Sequence, residues 1–111
     1  MNEQRRAKRK PIESHAEVIN AITGASMGRV GNISANGMML IANQAVPEDA
    51  LFQVHFHLPS KRGRQVPLEL GLHEQWSEPA STPGQFWAGF RIIDISPQDL
   101  ELLTAWVEDN A

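Results

Sequence analysis

Residues 51–58 constrain the fold more than any other part of the chain. Phe52, Val54, Phe56 and Leu58 alternate with Gln53, His55 and His57. A period of two places the four apolar side chains on one face of an extended strand, whereas a helix would scatter them around its axis.

Other short apolar runs, separated by turn formers, extend this reading. Residues 15–22 alternate imperfectly, with Ala16, Val18 and Ile22 among polar neighbours and Ile19 out of phase, and predict a first strand with one buried face. Thr23-Gly24-Ala25-Ser26 reads as a turn. Residues 27–33 predict a second strand, in which Gly28 and Gly31 point to a bulge or a close backbone approach. Residues 38–42 form a short, fully apolar third strand, and residues 43–49, with Pro47, a loop. Leu68, Leu70 and Leu72 mark the buried face of a strand over 66–75. Residues 76–84, rich in Ser and Pro, read as a loop before a last strand at 86–93. Ser96-Pro97-Gln98-Asp99 then opens a helix over about 97–109, with Ser96 as N-cap, Pro97 at the first helical position and Asp99 in a capping-box position. Leu100, Leu103, Trp106 and Val107 form an apolar stripe at helical spacing, widened by Leu102, that packs on the sheet. The pattern predicts a mainly β fold: a small six-stranded antiparallel β-barrel with a C-terminal α-helix.

At 111 residues the chain suits one domain with a core of its own. It has no cysteine, which removes disulfides and thiolate chemistry and fits a reducing compartment. No apolar run approaches the ~20 residues needed to cross a bilayer, and no signal-peptide core opens the chain. The expectation is a cytoplasmic protein without membrane insertion. Four histidines lie scattered without partner carboxylates at useful spacing, and no nucleophile–base pattern occurs, so no catalytic residue and no enzyme is expected. His55-x-His57 puts two imidazoles on one strand face, but no third ligand follows at metal-site spacing, and they read as solvent-facing side chains with no metal.

Charge is uneven along the chain. Arg5, Arg6, Lys8, Arg9 and Lys10 face only Glu3 within the first ten residues, while the rest carries five basic and twelve acidic groups. A compact basic arm on an acidic body argues against nucleic acid, which recruits a wider basic face. With only seven aromatics in the chain, a groove for single strands is also disfavoured. The arm suits either a solubilising tail or the capture of one small polyanion. A second basic stretch, Pro59-Ser60-Lys61-Arg62-Gly63-Arg64, reads as a solvated loop tip.

Asn32-x-Ser34-x-x-Gly37 sits between two apolar runs. Its residues favour turns, so it reads as a hairpin connection with Gly37 at a left-handed position. Paired in this order and spacing with Arg5-x-x-x-Arg9, it resembles the signature of the PilZ domain family, bacterial receptors for cyclic di-GMP. Gly89-Phe90-Arg91-Ile92 followed by Asp94-Ile95-Ser96-Pro97 is similar to that family's last strand entering its helix, so the resemblance covers nearly the whole chain.

The resemblance implies a flexible basic arm at 1–11 and a PilZ barrel with its helix at 12–111. It implies that Arg5 and Arg9 carry the arginine pair and Arg6 the additional basic position. An arginine fork can bond O6 and N7 of guanine or two phosphate oxygens, and its plane can stack on a base. Asn32, where many members have aspartate, and Ser34 would supply polar groups, and Gly37 would keep the turn open to the ligand. Trp87 and Gly89 lie on a strand that borders the ligand in this family, the Trp87 indole either stacking on a base or belonging to the core. Lys8 and Lys10 have no place in the motif. The implied partners are cyclic di-GMP, with no further cofactor, and an effector protein. The alternative is a PilZ-like adaptor that binds protein without nucleotide, against which the two intact motifs count.

Overall fold

The computed structural model describes residues 10–12, 16–59, 63 and 65–109. Arg5, Arg6 and Arg9, with most of the expected arm, lie outside the described residues, as do the cations of the 60–64 loop. The elements are β1 (Lys10–Pro11), β2 (Glu17–Asn20), β3 (Ser26–Ile33), β4 (Gly37–Ala42), β5 (Leu51–Pro59), β6 (Gln65–Pro79), β7 (Phe86–Ile95) and α1 (Pro97–Asp109).

All pairings are antiparallel. The order β3-β2-β5-β6-β7-β4 closes on itself because β4 also pairs with β3. Six strands thus form the barrel that the alternation predicts, and β1 continues the edge of β3 that β2 occupies further along. Val18, Val30, Ile33, Leu40, Val54, Phe56, Leu58, Leu70 and Leu72 fill the interior, each 1% exposed or less. The 51–58 alternation holds throughout β5, with Val54, Phe56 and Leu58 buried and His55 and His57 exposed.

Four local expectations change. The first strand stops at Asn20, whose side-chain oxygen accepts the amides of Ile22 (2.9 Å) and Thr23 (3.2 Å) and winds the chain into a turn. Ile22 is therefore 82% exposed instead of buried. The third strand alternates: Met38, Leu40 and Ala42 face inward while Met39 and Ile41 are half-buried outside. The expected loop at 76–84 starts later, because Trp76 to Pro79 stay in β6 and pair with β7 from Gly89 to Phe86. Asp99 leaves the capping box. Its carboxylate accepts the Glu69 amide of β6 at 3.1 Å, just past the point where β7 ends at Ile95.

Ser96 does cap the helix, accepting the Asp99 amide at 3.0 Å. Leu103, Trp106 and Val107 are buried, whereas Leu100 and Leu102 stay exposed, so the packing stripe is narrower than its sequence pattern.

Candidate functional site

Strand register assembles one transverse row on the outside of the barrel. Pro11 of β1 stands opposite Asn32 of β3, Asn32 opposite Met39 of β4, Met39 opposite Gly89 of β7, and Gly89 opposite Trp76 of β6. Asn32 reaches this face through a bulge. Register shifts between Val30 and Asn32, so Gly31 is the extra residue, and the buried positions are Val30 and Ile33. Strict alternation from Val30 would have sent Asn32 into the core.

Gly89 makes room for an aromatic surface. A Cβ at this position would run into Nε1, Cε2 and Cδ1 of the Trp76 indole, so the ring lies against the bare backbone. Trp76 remains 46% exposed. The neighbouring row holds Arg29, Ile41, Trp87 and Glu78 in register. Trp87 is 39% exposed, so of its two readings the core one fails. On the other side of the row, Arg91 stands between Gly37 and His73. Asn32, Met39, Gly89 and two indoles thus form a continuous face, with Arg29 and Arg91 in the flanking rows.

The turn beside Asn32 is closed by Ser34 and not by a left-handed glycine. The glycines with positive φ among the described residues are Gly24, Gly28, Gly63 and Gly84; Gly37 instead starts β4, buried. Ser34 donates its amide to the Gly37 carbonyl at 2.8 Å. Its hydroxyl oxygen accepts the amides of Gly37 (3.1 Å) and Asn36 (3.4 Å), and its proton has two acceptors in reach, Asn36 Oδ1 at 3.0 Å and Gly37 O at 3.2 Å. At 1% exposure Ser34 spends its hydroxyl on the turn. The Asn36 carbonyl then accepts the Ile92 amide at 2.9 Å, tying the turn to β7.

The family model described as PilZ domain matches residues 3–109, from the basic arm to the end of the helix. The chain belongs to the PilZ domain family. One solved structure with the same fold is the Bacillus subtilis inhibitor of motility (MotI/DgrA), at a TM-score of 0.76 and 13% identity. The alignment covers 98% of this PilZ domain and 51% of that chain, so this chain spans about half the length of its neighbour. No curated protein matches it.

Sequence reasoning missed two parts of this face. Trp76 sits in a Ser- and Pro-rich stretch that reads as loop, and its signal was the mate across the strand, Gly89, the glycine an overlying ring requires. Met39 reads as core in a fully apolar run. A third feature lies on β6 two residues before Trp76, opposite the core residue Phe90. Glu74, 5% exposed, accepts the Asp49 amide at 2.8 Å and the Ser77 hydroxyl at 2.6 Å, and the Ser77 bond first, then the Asp49 amide, holds its carboxyl below the usual carboxylate range. The His73 ring meets the Asp49 carboxylate at 2.5 Å. These contacts fix Asp49 at a positive φ of 65° at the end of the 43–50 loop. Among the described residues no group of three or more His, Asp or Glu could hold a metal, and no helix is long and apolar enough to cross a membrane.

Proposed function

We propose that this PilZ domain is a cyclic di-GMP receptor that relays the bound state to a protein partner. Family membership supports a receptor or adaptor role. The observation that carries the nucleotide reading is the single row of Pro11, Asn32, Met39, Gly89 and Trp76. It brings the root of the basic arm, the Asn-x-Ser-x-x-Gly turn and an exposed aromatic surface onto one face.

Each part suits one feature of the ligand. A guanine has a flat π surface, and an indole pressed against bare backbone offers a rigid partner for it. Trp76 takes that role, with Trp87 beside it. Asn32 presents an amide that can both donate and accept, matching a guanine edge in part where an aspartate would accept two N–H groups. Arg5 and Arg9, helped by Arg6, close over the two phosphates and the remaining guanine edge with planar forks. Ser34 and Gly37 serve by keeping the turn in shape, and Gly89 by leaving space for the indole.

Titration calorimetry with cyclic di-GMP, GMP, GTP and cyclic di-AMP tests the reading. Cyclic di-GMP is expected to bind well ahead of the other three. Equal affinity for the adenine analogue would rule out a guanine-reading site. Absence of binding to all four would leave the nucleotide-free adaptor as the function.

A further inference from the structure

Lys10 has no place in the family motif, yet it joins the arm to the far end of the chain. As part of β1 it pairs with Ile33, one residue from the Pro11–Asn32 pair that opens the ligand row. Its ammonium lies 3.7 Å from the centroid of the Trp106 ring and donates to the Trp106 carbonyl at 3.1 Å. Trp106, 7% exposed, is held in turn, because its indole N–H donates to the carbonyl of Pro59 at the end of β5.

The chemistry at this contact is favourable on three counts. A cation over an indole is attracted by the ring quadrupole. The Trp106 carbonyl lies in the last turn of α1, where backbone acceptors take partners from outside the helix. The last turn of α1 carries no basic residue of its own, so Lys10 supplies the positive charge that the negative end of the helix dipole favours. A strand of two residues cannot hold its place by ladder bonds alone. Its continuation, the Ile12 amide donating to Gly31 at 3.1 Å, adds one more.

We propose that Trp106 is a positioning residue for ligand capture: with Lys10 it forms a clasp that fixes the root of the arginine arm beside Asn32. This rests on the receptor reading above. Arg9 immediately precedes Lys10, so the clasp sets the point from which the arginine pair starts. With the root fixed, less ordering falls on ligand binding. By linkage, anything that shifts the C-terminal end of α1 also changes ligand affinity.

Two measurements separate this inference from its premise. Calorimetry compares wild type with Lys10→Met, Lys10→Arg, Trp106→Leu and the Lys10→Met/Trp106→Leu double variant. Lys10→Met and Trp106→Leu should each raise the Kd for cyclic di-GMP about tenfold, on the scale of one part-buried cation–π contact with its hydrogen bond. The double variant should be no worse than either single one, and Lys10→Arg should stay within about threefold of wild type, since it keeps the cation over the ring. Additive losses would mean that Lys10 acts on the ligand by its own charge, which overturns the clasp. Should Trp106→Leu fail to fold, Trp106→Phe replaces it, with a smaller loss that disappears in the Lys10→Met background. In the free protein, amide exchange at Ile12 should speed up about tenfold in Lys10→Met and not in Lys10→Arg. Unchanged exchange at Ile12 overturns the clasp without touching the receptor reading. A wild type that does not bind cyclic di-GMP overturns the receptor reading, whatever Ile12 does.

Discussion

Ser34→Ala separates a turn clamp from a ligand contact. The substitution removes only a hydroxyl, from a side chain that is 1% exposed. The Asn36 amide, on an exposed residue, can turn to water. The Gly37 amide cannot, because Gly37 is buried and Ser34 Oγ is its acceptor at 3.1 Å. Leaving one buried donor unsatisfied costs about 1–3 kcal/mol. With an unfolding entropy of about 2.1 cal/mol/K per residue, a chain of this size loses roughly 4 °C in Tm for each kcal/mol. The variant should therefore melt about 8 °C below wild type, taking ~2 kcal/mol as the cost. Thermal and urea unfolding without ligand are the assays, with an unchanged urea m-value expected. A Tm within about 2 °C of wild type, less than ~0.5 kcal/mol, would refute the clamp. Unchanged stability together with collapsed cyclic di-GMP affinity would hand the hydroxyl to the ligand instead.

Four further substitutions probe other parts. Arg9→Lys keeps the charge but loses the fork and the stacking plane, so affinity should fall by about 1.5–3 kcal/mol, while Lys8→Ala should cost at most about 1; a lysine variant binding like wild type would mean that only net charge counts. Gly89→Ala drives a methyl into the Trp76 ring and should destabilise the barrel by about 1–3 kcal/mol and shift tryptophan fluorescence, an unchanged emission spectrum arguing against the close approach. Glu74 has a lowered carboxyl pKa in the folded state, so its contribution is present at neutral pH and lost as pH falls through that lowered value, below the ordinary glutamate value near ~4.3. Glu74→Gln should thus be less stable than wild type at pH 7, with the gap closing in acid; a gap constant with pH would show that the charge is not involved.

Much of the fold was legible because the barrel has a single interior. One buried face imposes a period of two on each strand, and that period is visible in β5 and β6 without knowing any partner. The helix was legible from local chemistry, Ser96 before Pro97 and a 3.6-residue stripe. Properties that depend on a neighbour were hidden. Trp76 to Pro79 look like loop by composition and are strand because β7 pairs with them. Asn32 faces outward because of a one-residue bulge that the chain marks only with Gly31. Lys10 and Trp106 are 96 positions apart, and neither carries a local sign of the other. Of the expected site, Asn32, Trp87 and Gly89 share one face, while Ser34 turned inward because a turn closed without a left-handed glycine needs its hydroxyl.

Closure of the barrel by β4 and β7 has a kinetic consequence. Gly37 pairs with Arg91 and Ala42 with Phe86, partners far apart along the chain, so this seam carries a large loop-closure cost and belongs to the slow part of folding. The row of Asn32, Met39, Gly89 and Trp76 crosses that same seam, since Met39 and Gly89 are partners in it. On a ribosome, β1 to β4 emerge and can pair well before β7 exists. Until β7 arrives, Asn32 and Met39 have no aromatic surface beside them. A chain still in synthesis, or one cut before residue 86, therefore displays the turn motif without the face that β7 completes.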